Sequence, residues 1–231
     1  MNALALLTPA DLAALRVTLL LAAVSTLILL AIGTPLAWWL ARTRSRLRPV
    51  VETLVALPLV LPPTVLGFYL LVALAPQGPL GRLLGQAGVE PLVFRFEGLV
   101  AGSVIYSLPF VVQPLVVAFA GIGRDVLEAA ATLGAGPLDR LLSVVAPLAA
   151  PGLLTAIVLG FAHTVGEFGV VLMIGGNIPG ETRVLSIAIY DHVEALDYAR
   201  AHLLSGLLLV TSFLLLLGVY GARRRVGLFT R

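Results

Sequence analysis

The residues in this chain with the most chemical potential are one acid and a group of prolines, each inside an apolar run. The acid is Glu167, in His163-Thr164-Val165-Gly166-Glu167-Phe168-Gly169. At the centre of a membrane-spanning helix an acidic residue costs roughly 2.5–3.5 kcal/mol on insertion scales, so it is expected to face the interior of a bundle. His163, one turn earlier, is its expected partner. Two readings stand: a polar staple between helices that is structural or linked to a gate, and a direct contact to a substrate. An anionic substrate favours the first, because a carboxylate repels it. The prolines lie in Leu57-Pro58-Leu59-Val60-Leu61-Pro62-Pro63-Thr64. Each removes an amide donor and clashes with the preceding turn. Inside lipid such a break persists only where other helices or a water-filled cavity satisfy the freed carbonyls. Pro58, Pro62, Pro63 and Thr64 therefore mark either a kinked packing helix or a broken helix lining a path.

Several chemistries are excluded. Cysteine is absent, which removes disulfides, thiolate metal sites and a cysteine nucleophile. All fifteen basic residues are arginine, and a phosphate-cradling P-loop needs its lysine. If ATP drives this protein, a partner binds the ATP. His163, His192 and His202 have no metal-ligand spacing, and no Gly-x-Ser-x-Gly elbow is present. No catalytic residue, metal site or cofactor is expected. The arginines sit at segment ends rather than in a stripe, so they argue for membrane orientation and against nucleic acid.

The elements that must position these residues are membrane helices. Of 231 residues, 59% are hydrophobic and 12% charged, against about 25% charged in soluble domains. A helix needs about 20 apolar residues to cross the hydrocarbon. Five stretches qualify: 17–40, 50–75, 99–120, 148–174 and 203–220. The expected fold is an all-α integral membrane domain over 1–231, with five transmembrane helices. Met1–Leu7 lacks the basic region and cleavage site of a signal peptide, and Met1–Ala10 is too short to span. Ten arginines (42, 44, 46, 48, 124, 140, 223, 224, 225 and 231) fall on one side of these spans and five (16, 82, 95, 183 and 200) on the other. The arginine-rich side is cytoplasmic, which puts the N-terminus outside and the C-terminus inside. Trp38 and Trp39 stand where an interfacial anchor belongs. Gly152, Ala156, Gly160 and Thr164 share a helix face, with Gly98 and Gly102 repeating the spacing. Small residues so placed let helices approach closely.

Between the third and fourth spans, segment 121–147 is cytoplasmic by this orientation. Asp125 is expected to cap a short helix from Val126 to Leu133. Gly134 and Gly136 end it, and Pro137 is suited to start a second. The expected product is a helix–turn–helix elbow at the membrane face. Its small-residue surface of Ala129, Ala130 and Gly134 suits insertion into a cleft on a partner protein. On the outer side, Gly175–Tyr198 contains an amphipathic stretch, Val184–Ala195, too short to span. It reads as an outer gate, as a contact for another protein, or as an exposed loop.

The elbow also carries a specific resemblance. Glu128-Ala129-Ala130, three residues, Gly134, nine residues, Val144, two residues and Pro147 resemble the coupling (EAA) loop of ABC importer permeases. Valine at 144 and alanine at 146 depart mildly from that pattern. Leu57–Gly67, Ser107–Pro114, Ala129–Leu138, Gly166–Phe168 and Gly175–Arg183 look like the molybdate-type permeases, with tungstate and sulfate permeases close to them. The resemblance implies that Glu128, Ala129, Ala130, Gly134, Pro137 and Pro147 couple to a separate cytoplasmic ATPase present in two copies. It further implies a homodimer in a bacterial cell membrane, fed by an extracytoplasmic oxyanion-binding protein that holds most of the specificity. A secondary transporter would show paired intramembrane carboxylates and an internal repeat; this chain has one such carboxylate and no convincing repeat.

Overall fold

The computed structural model describes residues 7–226. The expectation drawn from residues 1–6 and the arginine at 231 lie outside them. Helix α1 (Pro9–Arg42) starts well before the expected boundary at Val17. A reciprocal cap sets that start: the Asp11 amide donates to Thr8 Oγ1 at 3.2 Å, and the Thr8 amide donates to the Asp11 carboxylate at 2.9 Å. Two otherwise orphaned amides are satisfied this way.

The expected second span, 50–75, is two helices. Helix α2 (Arg48–Val60) ends at an extended Leu61, and α3 (Pro63–Leu74) begins after Pro62. Pro63 occupies the first turn of α3, where an amide has no intrahelical acceptor, so its missing N–H is harmless there. At 13 residues α2 is too short to cross. A further short helix, α4 (Pro79–Gln86), follows, where the sequence reading has none. The long α5 (Phe96–Ala120) packs against α1, α2, α8 and α9 and forms the central post.

The elbow comprises α6 (Arg124–Thr132) and α7 (Pro137–Asp139). From α7 the chain passes through one π-helical turn, Arg140–Val145, into α8 (Ala146–Val165). Asp125 does not cap α6: the helix begins one residue before it, after an extended Gly123, and no side chain caps that end. Asp125 lies in the first turn, where its charge favours the helix dipole. The expected fourth span, 148–174, is likewise divided, into α8 and α9 (Gly169–Gly175). The outer amphipathic stretch is helix α10 (Leu185–Glu194), and α11 (Tyr198–Val226) closes the fold.

Five helical stretches are long and apolar enough to cross a membrane: Pro9–Arg42, Pro63–Gln86, Phe96–Ala120, Pro137–Val165 and Tyr198–Gly218. The exterior is as apolar as lipid requires, with Leu27, Val60, Val117 and Leu209 each more than 65% exposed. The interior is built on close helix approach. Leu29, Val111, Val112, Leu115 and Ala156 form one buried cluster where α1, α5 and α8 meet. Gly160 sits in that cluster, and a Cβ there would come within 2.6 Å of Val111 Cγ2.

Gly160→Leu is therefore expected to overpack the α5–α8 contact by about 1–3 kcal/mol. Gly206→Leu on α11, where nothing lies within 4 Å of an added Cβ, is expected to be neutral. Thermal denaturation of the two purified variants in detergent, beside the parent, checks the contrast.

Candidate functional site

Glu167 does not occupy a helix centre. Helix α8 ends at Val165 and its last carbonyls close a turn, with the Gly166 amide donating to Ala162 O at 3.1 Å and the Glu167 amide to Thr164 O at 3.3 Å. After Phe168 the chain re-enters helix at Gly169. Glu167 thus stands in the break between α8 and α9. This break lies against the one between α2 and α3. A Cβ at Gly169 would come within 2.7 Å of Pro63 Cβ and 3.4 Å of the Thr64 amide nitrogen. No side chain fits there, so glycine is what lets the two interrupted helices touch.

At this crossing a cleft of about 460 Å³ opens, lined by Pro63, Thr64, Tyr106, His163, Glu167 and Phe168 with small neighbours. Glu167 is 4% exposed. One carboxyl oxygen, Oε2, accepts from Ser103 Oγ on α5 at 2.8 Å. The other, Oε1, is buried with no partner among the described residues. The Glu167 main-chain carbonyl accepts from Ser186 Oγ on α10 at 2.5 Å. One residue in a helix break thereby joins the central post to α10.

His163 is not the partner of Glu167. Its Nδ1 lies 2.9 Å from Ser107 Oγ, and its ring stacks on Phe110 at 3.9 Å between centroids. Ser107 Oγ also meets Thr164 Oγ1 at 3.2 Å. The termination of α8 explains the difference: Glu167 leaves the helical path and no longer lies one turn along from His163. Ser103 and Ser107, four residues apart on one face of α5, instead take the two groups separately. These serines and Ser186 were missed from the sequence. The α5 pair carried a readable signal, as hydroxyls at i and i+4 in an apolar span.

Of the residues expected to line a path, Pro63, Thr64 and Glu167 share this cleft. Pro58 is buried within α2, and Pro62 is exposed at the break; neither lines it. Glu128, Ala129 and Ala130 lie on α6, with Glu128 and Ala129 exposed. Gly134 holds φ +88°, a left-handed conformation that favours glycine. The turn it makes lets the Ala135 amide reach Ala130 O at 3.1 Å. Gly136 precedes Pro137, which opens α7. Pro147 stands beyond the π turn, in the first turn of α8. The elbow's second arm is therefore no separate helix but the start of a spanning one. Leu133, 88% exposed at the tip, adds an apolar knob to the small-residue surface.

A bundle of interrupted membrane-length helices with a protruding elbow and a partly polar cleft is the arrangement of a multi-pass membrane transport component. The sequence matches the family described as binding-protein-dependent transport system inner membrane component over residues 33–226, and the chain belongs to that family. It is 62% identical over 214 residues to the molybdenum transport system permease protein ModB of Azotobacter vinelandii, covering 93% of this chain and 95% of that one. It is 33% identical over 219 residues to the sulfate transport system permease protein CysT of Salmonella typhimurium, covering 95% and 79%. In three dimensions it resembles a bacterial alginate ABC transporter solved with an alginate-bound periplasmic protein, at a TM-score of 0.76, 19% identity, and coverage of 95% and 80%. That likeness concerns the fold alone.

Ser103→Ala takes away the only side-chain donor to the Glu167 carboxyl among the described residues and is expected to cost about 1–3 kcal/mol. If the pair interacts as drawn, the effects of Ser103→Ala and Glu167→Ala will be non-additive by at least about 0.5 kcal/mol. A double-mutant cycle of denaturation midpoints measures this, and strict additivity would show that the two groups do not interact.

Proposed function

We propose that this chain is the membrane-spanning permease subunit of an ATP-driven importer for molybdate. The observation that carries the reading is the 62% identity to a molybdenum permease over 93% of the chain. Identity to the sulfate permease is about half of that, which favours molybdate over sulfate. The chain forms the path for the anion and performs no ATP chemistry itself, since it has no lysine for a P-loop.

Two copies of a cytoplasmic ATPase dock on the elbows of a homodimer. The exposed Ala129 and Gly134 and the projecting Leu133 support such a docking surface. An extracytoplasmic binding protein delivers the oxyanion. The excess of arginines on the elbow side supports a bacterial inner-membrane orientation with the N-terminus outside. The path runs past the crossing of the two helix breaks, where Pro63, Thr64 and Glu167 lie. Pro58 and Pro62 belong to the same interrupted helix, and their role is to break it rather than to face the anion. Glu167 acts there as a gate-linked staple. Its carboxyl faces a route taken by an anion, so tight substrate binding at this point is not part of the mechanism.

Co-purification with the ATPase tests the docking role. Glu128→Lys and Gly134→Trp are each expected to abolish it, and full coupling in both variants would falsify the assignment of the elbow. Uptake of labelled molybdate into proteoliposomes holding the complete complex, with tungstate and sulfate as competitors, tests the cargo. Stronger competition by sulfate than by unlabelled molybdate would move the assignment to a sulfate permease.

A further inference from the structure

Away from the cleft, one contact joins the cytoplasmic end of α1 to the entry of the elbow. Arg42 is the last residue of α1. Its Nη2 donates to the main-chain carbonyls of Phe119 at 3.3 Å and Ile122 at 3.0 Å. Phe119 lies in the last turn of α5, at the negative end of its dipole, and Ile122 lies two residues beyond that helix, so a guanidinium is well matched to this end. The same guanidinium lies 4.8 Å from the centre of the Trp38 ring. Trp38 in turn meets Phe119 edge-on at 5.3 Å. Ile122 is 5% exposed and directly precedes the Gly123–Arg124 start of α6. Trp38 also lines a cleft of about 340 Å³ together with Leu127, Pro137 and Arg140 of the elbow. The end of α1 is thus clasped to the point from which the elbow departs.

The other end of α1 is clasped to α10. His192 Nε2 lies 3.0 Å from Asp11 Oδ1, and the Leu185 amide donates to Thr18 Oγ1 at 2.7 Å. From α10, Ser186 reaches the carbonyl of Glu167 in the break. Both clasps lie on the one 34-residue helix, which Pro35 does not interrupt. The α2–α3 and α8–α9 routes from the same side are each interrupted, and the continuous α5 packs less on α10 than α1 does. A continuous helix passes on an axial or rotational displacement that a break absorbs.

We propose that α1 is the rod that carries movement of the elbow to the outer helix α10, and that Arg42 is the positioning residue that engages it. This rests on the reading of the elbow as an ATPase dock. Arg42 touches neither the anion nor the ATPase; it acts through Ile122 and Phe119.

The test uses the full complex of permease, ATPase and molybdate-binding protein in proteoliposomes. Because the chain has no cysteine, Val193→Cys on the exposed side of α10 provides a single site for a fluorescent label. Arg42→Gln is expected to keep the ATPase bound, to lower molybdate uptake at least tenfold, and to abolish the ATP-dependent change in the label's signal. Arg42→Lys keeps the charge at the helix end and is expected to recover part of both readouts. Thr18→Val removes the Leu185 contact of the α10 clasp, far from the elbow, and is expected to weaken the label's response while ATPase binding persists. Normal uptake and a normal label response in Arg42→Gln would overturn the proposal. Loss of ATPase binding in Arg42→Gln would also overturn it, by making Arg42 a residue of the dock. An unaltered parent chain that fails to bind the ATPase would instead remove the docking reading on which the proposal stands.

Discussion

Inside hydrocarbon a peptide group has no water to turn to, and every amide and carbonyl must find its partner within the protein. Most of this architecture follows from that one constraint. It explains why the spanning segments are helices, and where they are allowed to stop. The two interruptions do not face lipid separately. They are brought against each other, with Gly169 on Pro63, and Glu167 in one of them is held by hydroxyls from α5 and α10. A break that would be prohibitive alone is tolerable where two share a protein-lined, partly polar space.

The central post makes that sharing possible. Helix α5 presents small residues and hydroxyls along the faces that meet other helices, with large apolar side chains between them. Toward the outer half, a Cβ at Gly102 would come within 2.6 Å of Ile174 Cδ1 on α9, and Ser103 beside it holds the Glu167 carboxyl. One turn on, Ser107 holds His163 and Thr164 of α8. Close approach and polar pairing are thus supplied by adjacent positions of one helix. The separation of Glu167 from His163 follows from this arrangement.

Legibility from sequence divides along the same physical line. Run length and hydropathy are local quantities, and they located the membrane-crossing character of the chain and its five-span organisation. The turn of the elbow was legible too, because Gly134, Gly136 and Pro137 act through backbone conformation alone. Hydropathy is blind to interruptions that remain apolar. Gly166-Glu167-Phe168 and Leu61-Pro62 sit inside continuous greasy runs, so single spans were drawn through both. The prolines at least signalled strain; Gly166 and Gly169 did not, since the reason for glycine at 169 is a neighbour a hundred residues away. The start of α1 at Pro9 was a different kind of miss. Thr8 and Asp11 carry a readable capping pattern, overlooked because the polar residues there fall before the apolar run. The partners of Glu167 and His163 depended on helix rotation and contact, which no local pattern encodes.

The meeting of Gly169 and Pro63 has a mechanical consequence. Two jointed beams that touch at their joints share a fulcrum. Beyond that point the 12 residues of α3 and the 7 of α9 pack against each other as one unit. The arms on the elbow side, α2 and α8, both pack on α5, so the central post backs the fulcrum. The depth of that fulcrum is set by Gly169, which brings no side chain of its own against Pro63.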